Sequence, residues 1–478
     1  MNIAIIGAGL AGCECALKLA ENGIATTLFE MKPEQYSPAH SSANLAELVC
    51  SNSLRSDDLT SGIGLLKQEM RELGSRIMAA ADATRVPAGK ALAVDRELFS
   101  EHMTKAVEDE QLITLVRQEV PSLDAEVLKG FDIIVVTAGP LASESLGQSI
   151  LERVGGQLYF YDAIAPIIAA ESIDMSIAFW GSRYEQEDAY LVRHPRDPEV
   201  PFSNGTPELL DYVDEADRPE IGDYINCPMN KDEYQAFYDA LMAAEKVPSH
   251  NFEKEIHFEG CMPIEALAER GQRTLVFGPF KPVGFVDPRT GRRPYAVVQL
   301  RVENHNKTTF NIVGCQTKLK YAEQDRVFRL IPGLQHAEFV RHGSMHRNTY
   351  VNAPKVLAHD LSLVGHPNIF LAGQITGVEG YLESAACGLW LGIALAHRIK
   401  HSVDLTPPSD CTALGALLNH LRVPAKNFQP SNVNFGLMPE LGLRAKKKER
   451  KPIYSARARE AFAAWLEDGQ GTLPLEPR

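Results

Sequence analysis

The sequence predicts an α/β fold in which a Rossmann-like nucleotide-binding domain is interrupted by an α+β insertion. Three observations carry this prediction: a glycine-rich turn after an apolar run at the start of the 478-residue chain, a short apolar run at residues 131–136, and another at residues 368–373. Short apolar runs that end at turn residues are typical of buried parallel strands. Because two of these signals come early and one comes late, we expect a discontinuous domain.

The first element is a strand, a turn, a helix and a second strand in succession. Residues 2–6 are apolar, a helical pattern follows the turn to about residue 22, and residues 24–30 give a second strand pattern that ends on Glu30. The turn itself reads Gly7-Ala8-Gly9-Leu10-Ala11-Gly12. This succession predicts one βαβ unit of a doubly wound sheet.

The glycine spacing in this turn is that of a dinucleotide-binding site. Gly7 is expected to make the tight turn, Gly9 to let a pyrophosphate approach the backbone, and Gly12 to let helix and strand pack closely. The amino-terminal end of the helix attracts phosphates, and the acid that ends the second strand accepts hydrogen bonds from ribose hydroxyls. The candidate cofactor-binding residues here are Gly7, Ala8, Gly9, Leu10, Ala11, Gly12 and Glu30.

Two later turns indicate which dinucleotide binds. The apolar run 131–136 leads into a turn at residues 137–140, and the run 368–373 leads into a glycine-rich turn that opens an apolar helix. A second helix amino terminus suits the electron-rich edge of a reduced flavin, which an NAD dehydrogenase or an S-adenosylmethionine enzyme does not need. We therefore expect FAD in a glutathione-reductase-like domain. The further candidate residues are Ala138, Gly139, Gly373, Gln374, Gly377, Gly380 and Tyr381.

These elements set the predicted domain boundaries. The FAD-binding domain is assigned to residues 1–150 and 306–440, the insertion domain to residues 151–305, and a basic carboxy-terminal segment to residues 441–478. Such a division agrees with the usual size of a domain, which is about 100–200 residues.

Composition argues against several classes of protein. The chain has 48 Lys and Arg against 62 Asp and Glu, a net charge of −14, and no apolar run long enough to cross a membrane. Its first residues lack the basic, apolar pattern of a secretory leader, so a cytoplasmic location is expected. Eight cysteines without a Cys-x-x-Cys pair predict neither a disulfide framework nor a metal site. The acidic total argues against a dedicated nucleic-acid binder.

One basic segment runs against this acidic total. Residues 444–459 contain eight Lys and Arg against a single acid, Glu449. Such a run is either a solvated helix face or tail, or a surface for RNA phosphates, and the sequence leaves both interpretations open. The candidate RNA-binding residues are Lys446, Lys447, Lys448 and Arg450.

Three cysteines are candidates for a reactive thiol. Cys227 precedes Pro228 and two acids, which predicts that it caps a helix amino terminus, where the dipole lowers the pKa of a thiol. Cys50 lies in a polar stretch near Arg55, and Cys261 has a similar context. The commoner role of a free cysteine is that of a small buried apolar residue. The pattern alone does not identify a nucleophile.

Six longer strings carry a more specific signal than the glycine motif. They lie at residues 44–54, 226–229, 258–265, 293–301, 346–350 and 373–381. Together they resemble the folate- and FAD-dependent tRNA (uracil-5-)-methyltransferases, and the resemblance extends over nearly the whole chain up to about residue 440.

The resemblance implies methylation of uridine C5 in the T-loop of tRNA, with 5,10-methylenetetrahydrofolate as carbon donor and reduced flavin as hydride donor. NADH or NADPH is implied as the reductant. Two catalytic cysteines are also implied, which map onto Cys227 as the nucleophile toward uracil C6 and Cys50 as its acid/base partner, with the two roles exchangeable. The alternatives are the same chemistry on ribosomal RNA, or a flavin oxidoreductase that acts on a small molecule.

Overall fold

The structure is a computed structural model that describes residues 1–156, 158–183, 222–247, 262–425, 428–442 and 446–468. The chain forms two units, each named here after its sheet. The parallel-sheet unit comprises Met1–Arg85, Lys90–Phe160 and Arg347–Arg478. The antiparallel-sheet unit comprises Val86–Gly89 and Tyr161–His346.

The strands and helices are numbered in chain order over the described residues. The strands are β1 (Ile3–Ile6), β2 (Thr26–Glu30), β3 (Ser53–Ser56), β4 (Arg85–Val86), β5 (Ala91–Val94), β6 (Ile113–Arg117), β7 (Ile133–Val136), β8 (Leu158–Ala163), β9 (Ile167–Ala169), β10 (Phe179–Trp180), β11 (Tyr224–Met229), β12 (Ala296–Val302), β13 (Thr309–Ile312), β14 (Phe339–Arg341), β15 (Met345–Tyr350), β16 (Ser362–Leu363) and β17 (His366–Leu371). The helices are α1 (Leu10–Glu21), α2 (Gly62–Glu72), α3 (Arg76–Ala83), α4 (Arg96–Glu108), α5 (Glu144–Val154), α6 (Lys231–Ala243), α7 (Ile264–Glu269), α8 (Thr274–Phe277), α9 (Tyr321–Phe328), α10 (Ala353–Val356), α11 (Tyr381–His401), α12 (Ala413–His420) and α13 (Lys447–Glu467).

The sheet of the parallel-sheet unit has the order β16-β17-β7-β1-β2-β6. Its central strand β1 pairs in parallel with β2 and β7, and β17 pairs in parallel with β7. All four residues of β1 are buried, as expected for a strand covered on both faces. Helices α1 and α11 pack against each other, so the late helix completes the layer that the first helix begins. The predicted βαβ unit and discontinuous sheet are confirmed.

The sheet of the antiparallel-sheet unit has the order β10-β11-β12-β13-β9-β14. Its longest pairing joins β11 to β12, and in that register Cys227 lies opposite Val298. Phe179, Phe285 and Val297 form a buried apolar cluster in this unit. Helix α6 follows β11 directly and begins with a capping box, in which Asn230 and Glu233 satisfy each other's backbone N–H groups.

The structure places the return to the parallel-sheet unit after His346 rather than at residue 306. The physical reason is that β13 and β14 continue the antiparallel sheet through their pairing with β9. The basic carboxy-terminal segment belongs to the parallel-sheet unit, where α13 occupies most of its described part.

Candidate functional site

A pocket opens at the carboxyl ends of four neighbouring strands, β2, β1, β7 and β17. The connections from β1 lead to opposite sides of the sheet, and such switch points are where open α/β sheets bind nucleotides. The space between its walls is about 1100 Å³, solvent at the mouth included, which suits a cofactor-sized ligand. Eleven of the fourteen predicted cofactor-binding residues line it: Gly7, Ala8, Gly9, Leu10, Ala11, Glu30, Ala138, Gly139, Gly373, Gln374 and Tyr381.

The glycine-rich turn has the geometry that its spacing predicts. Gly7 has a φ of +100°, which favours glycine, and a Cβ atom on Gly12 would lie 1.9 Å from the Gly7 carbonyl oxygen. Gly12 therefore packs the helix on the strand and does not face the pocket. Gly9 begins α1 without a side-chain cap, and a Cβ atom there would meet nothing within 4 Å. The first N–H groups of α1 are thus open to an anion.

Glu30 ends β2 and forms one wall of this pocket. It is 7% exposed, and its Oε2 atom accepts a hydrogen bond from the Ala8 backbone N–H at 2.9 Å. Its Oε1 atom accepts from the Lys32 backbone N–H at 3.0 Å. These two bonds fix the carboxylate beside the glycine-rich turn, and each oxygen retains a lone pair for a ligand hydroxyl.

Gly377 and Gly380 are the two other predicted residues that do not line the pocket. Gly377 has a φ of +94°, and a Cβ atom there would lie 2.5 Å from the Phe428 ring. Gly380 has a φ of +113°, and a Cβ atom there would lie 2.3 Å from the Glu383 carboxylate. Both positions therefore require glycine for backbone conformation and packing.

The Cys50 thiol lies against the Tyr381 hydroxyl group. The Tyr381 Oη atom is 2.9 Å from the Cys50 Sγ atom, and it accepts hydrogen bonds from the backbone N–H groups of Cys50 at 2.7 Å and Ser51 at 3.3 Å. Because both lone pairs of the oxygen are engaged, its own proton is directed to the sulfur. Burial and the neighbouring thiol raise the pKa of Tyr381 well above its usual value, so the hydroxyl group stays protonated at neutral pH.

The residues that hold this arrangement were not found by the sequence reasoning. Arg96 donates to the carbonyl oxygens of Leu48 at 3.0 Å and Val49 at 3.4 Å, which fixes the chain just before Cys50. Cys50 and Tyr381 are 331 residues apart, and no local pattern signals a contact at that separation.

Beside this contact lies an ion pair between Arg55 and the buried carboxylate of Glu383. Arg55 has a φ of +64°, a conformation that costs free energy in a non-glycine residue. The only sequence signal for Arg55 was its nearness to the cysteine. Glu383 also accepts from the Val433 backbone N–H at 2.9 Å, so the pair ties the start of α11 to a distant loop.

The predicted position of Cys227 at a helix amino terminus is wrong. Cys227 lies inside β11, and Asn230 is the residue that caps α6. The Cys227 side chain is fully buried, and burial raises the pKa of its thiol to about 12. Its catalytic role stays a prediction, and Cys261 lies outside the described residues.

The basic carboxy-terminal segment is a docked helix over residues 446–468. Tyr454 of α13 stacks on Phe435 with ring centroids 5.1 Å apart, and the Trp465 indole donates to the Thr406 carbonyl oxygen at 3.0 Å. The first turns of α13 project their charges into solvent. The exposed cations there include Lys446, Lys448 and Arg450. Lys447 lies in the same turn, and Arg444 lies outside the described residues.

Two searches of the described residues bear on other kinds of site. Within those residues, no group of three or more His, Cys, Asp or Glu side chains is arranged to hold a metal ion. None of the described helices combines the length and the apolar character needed to span a bilayer.

One family model matches most of the chain. It is the model of glucose inhibited division protein A, GidA, which aligns with residues 2–206 and 208–402.

Relatives align over nearly the full length of the chain. Three of them carry the name methylenetetrahydrofolate–tRNA-(uracil-5-)-methyltransferase TrmFO. The protein of Nitratidesulfovibrio vulgaris strain DP4 is 69% identical, covering 99% of this chain and 92% of that protein. The protein of Oleidesulfovibrio alaskensis is 63% identical (97% of each chain), and that of Geobacter sulfurreducens is 52% identical (97% of this chain, 98% of that protein).

Solved structures agree with the fold. The form II crystal structure of Aquifex aeolicus GidA superposes with a TM-score of 0.64 at 16% identity, covering 98% of this chain and 73% of that chain. The form I crystal structure of the same protein gives the same TM-score at 18% identity, covering 98% and 76%. At these identities the similarity extends to the fold alone.

Proposed function

The chain belongs to the GidA family and to the TrmFO methyltransferases, and from this premise we propose that it methylates uridine C5 in the T-loop of tRNA. The carbon comes from 5,10-methylenetetrahydrofolate, and NADH or NADPH supplies the electrons. One observation carries the proposal: Tyr381, which lines the dinucleotide pocket, also holds the Cys50 thiol. A redox cofactor and a thiol at one site are what this reaction requires.

The pocket residues fit FAD. The uncapped amino terminus of α1 binds the pyrophosphate, and Glu30 accepts hydrogen bonds from the ribose hydroxyls. Gly373, Gln374 and Tyr381 line the pocket after β17 and hold the flavin ring. Bound FAD supplies hydride and one-carbon transfer chemistry, which amino-acid side chains do not provide.

The two cysteines divide the covalent and proton-transfer work. The Cys227 thiolate adds to C6 of uracil, which forms a carbon–sulfur bond and moves an electron pair to C5 for attack on the one-carbon unit. Cys50 then removes the C5 proton, and the carbon–sulfur bond breaks to release Cys227. Tyr381 orients the Cys50 sulfur through its hydroxyl proton. The opposite assignment of the two thiols uses the same steps.

The burial of Cys227 adds a requirement to this scheme. A fully buried thiol whose pKa is about 12 is neither accessible nor ionised at neutral pH. If Cys227 is the nucleophile, substrate binding has to expose its sulfur.

The amino-terminal end of α13 contacts RNA phosphates in this proposal, through Lys446, Lys447, Lys448 and Arg450. Its support is their position on an anchored helix end, with the exposed charges facing solvent. Deleting residues 444–451 is expected to weaken tRNA binding more at low salt than at high salt, because released counterions drive phosphate contacts. An unchanged dissociation constant at both salt concentrations would contradict this contact.

The test of the proposed function is a direct transfer assay. Purified protein is incubated with an unmodified tRNA transcript, methylenetetrahydrofolate labelled in its methylene carbon, and NADPH. We expect label in 5-methyluridine, and none in a transcript whose target T-loop uridine is replaced by cytidine. Ribosomal RNA serves as the parallel substrate: label there but not in tRNA would assign the same chemistry to the other RNA. No label in either RNA would sink the proposal.

A further inference from the structure

The antiparallel-sheet unit carries a second concentration of positive charge, in residues 270–293. This segment contains six cations against one acid, Asp287, in a chain whose net charge is −14. All six cations are exposed: Arg270, Arg273, Lys281, Arg289, Arg292 and Arg293. We refer to these six residues as the arginine surface. Arginine is the cation best suited to phosphate, because its planar guanidinium group binds two oxygens at once.

The two ends of this segment meet at one side chain. The Tyr234 hydroxyl group of α6 donates to the Gln272 carbonyl oxygen at 2.5 Å, and its ring lies 5.3 Å from that of Tyr295. Tyr234 thus joins the part of the segment that carries Arg273 to the part that carries Arg293. The cations therefore form one surface around the start of α6.

An exposed aromatic ring lies within this surface. Phe277 is 67% exposed, and the Arg273 guanidinium carbon lies 4.8 Å from the centre of its ring. A large apolar ring costs free energy in water and is unusual among charges unless it contacts a ligand. Cations with an accessible aromatic face are the elements that bind unpaired nucleotides, by phosphate contact and base stacking.

The arginine surface also borders the strand that carries Cys227. The Tyr295 backbone N–H donates to the Met229 carbonyl oxygen at 2.9 Å, at the end of β11. Arg289, held by Asp287 at 2.9 Å, is close enough to Cys227 and Glu233 for their charges to interact. A nucleic acid on this surface would therefore lie next to the strand that holds the second cysteine.

We propose that the arginine surface, with Phe277, binds the RNA substrate and contacts an unpaired base of the loop that carries the target uridine. This inference rests on the proposed function and deepens it. It names a docking surface on the antiparallel-sheet unit, additional to the end of α13.

The test compares two variants with the same change in charge. Arg292→Glu/Arg293→Glu alters the arginine surface, whereas Lys105→Glu/Lys129→Glu alters exposed lysines of the parallel-sheet unit. Binding of an unmodified tRNA transcript is measured from about 50 to 200 mM salt, with FAD content as the folding control. The first variant is expected to bind about tenfold or more weakly, with a salt slope reduced by about 2. The lysine variant is expected to bind within about twofold of wild type.

Phe277→Ala gives an independent reading of the base contact. It is expected to weaken tRNA binding about tenfold at every salt concentration and to leave the salt slope unchanged, because stacking releases no counterions. Equal binding by the two double variants, or no effect of Phe277→Ala, overturns the inference while methyl transfer by the wild type preserves the proposed function. Loss of binding to phosphatidylglycerol vesicles with tRNA binding intact would assign the surface to lipid and overturn it too. A wild-type chain that bound no tRNA would overturn both proposals.

Discussion

Cys50 and Cys227 are the same residue in two contrasting environments. Cys50 is half-buried and lies 2.9 Å from a hydroxyl proton donor at the edge of a cofactor-sized pocket. Cys227 is fully buried in a strand, and burial alone raises the pKa of its thiol to about 12. The difference teaches that the reactivity of these thiols is set by tertiary contacts. The Cys50 thiol is ready for proton transfer as it stands, whereas Cys227 needs a change of environment.

The largest expected effect separates the two chemical roles. Cys50→Ala and Cys227→Ala are each expected to lower the rate of methyl transfer to tRNA about a thousandfold or more, because each removes a group that acts on the reacting base. With tRNA that contains 5-fluorouridine, Cys50→Ala is expected to form a covalent protein–RNA adduct and Cys227→Ala is not. Cys411→Ala, at another half-buried free cysteine, is the matched control. An adduct formed by Cys227→Ala but not by Cys50→Ala would reverse the assignment.

The next effect is on thiol accessibility and its pH dependence. At pH 8 a thiol with a pKa of about 12 is about 0.01% ionised, so iodoacetamide is expected to label Cys227 at least a hundredfold more slowly than Cys50. The sign follows from the raised pKa: the neutral thiol dominates below it, and labelling of Cys227 increases about tenfold per pH unit up to it. Mass spectrometry of the two peptides after timed quenching measures both rates.

Addition of an unmodified tRNA transcript sharpens this second comparison. If the proposed role of Cys227 is correct, bound tRNA accelerates its labelling, because the substrate exposes its sulfur. Equal labelling of the two cysteines in the free protein would contradict the structural contrast, and protection of Cys227 by tRNA in an otherwise active complex would contradict its exposure.

A smaller effect is expected when only the partner of Cys50 changes. Tyr381→Phe removes the proton that the hydroxyl group directs to the sulfur, so methyl transfer is expected to fall about ten- to a hundredfold. The pH midpoint for Cys50 labelling is expected to rise, because a donor that stabilises the thiolate is lost. Tyr36→Phe, at a tyrosine that is 41% exposed, is the control. A fall in rate with an unchanged labelling midpoint would instead indicate a purely structural role for Tyr381.

The smallest effect concerns folding stability. Cys227→Ala removes a fully buried sulfur and is expected to destabilise the antiparallel-sheet unit by about 1 kcal/mol, whereas Cys50→Ala at a half-buried position is expected to cost about 0.5 kcal/mol or less. Urea titrations followed by far-UV circular dichroism measure the difference. Equal destabilisation by the two substitutions would remove the packing half of the contrast.

Local spacing was sufficient for the first wall of the pocket. The positions of Gly7, Gly9, Gly12 and Glu30 follow from one strand–turn–helix–strand unit of thirty residues, and each lies where the spacing predicted. In that unit the chemistry and the local structure come from the same short segment, so a pattern in sequence is also a pattern in space.

Long-range pairing explains what the sequence did not reveal. Pro228 and the acids after Cys227 resemble a helix start, yet the pairing of Cys227 with Val298 keeps β11 extended through Met229. The contact between Cys50 and Tyr381 and the joining of two arginine-bearing segments by Tyr234 also depend on tertiary structure. None of these contacts leaves a signal within one helix or strand.

The strand order has a consequence for how the chain is made. Strand β7 pairs with β17, so that Ile134 lies opposite Ile369. During synthesis the ribosome releases β7 long before β17, because nearly all of the antiparallel-sheet unit is translated between them. The edge of β7 therefore waits unpaired while the intervening segment emerges and folds, and exposed strand edges invite aggregation. A chain interrupted before residue 369 would leave that edge open, which makes the interval a period in which the nascent protein depends on protection by chaperones.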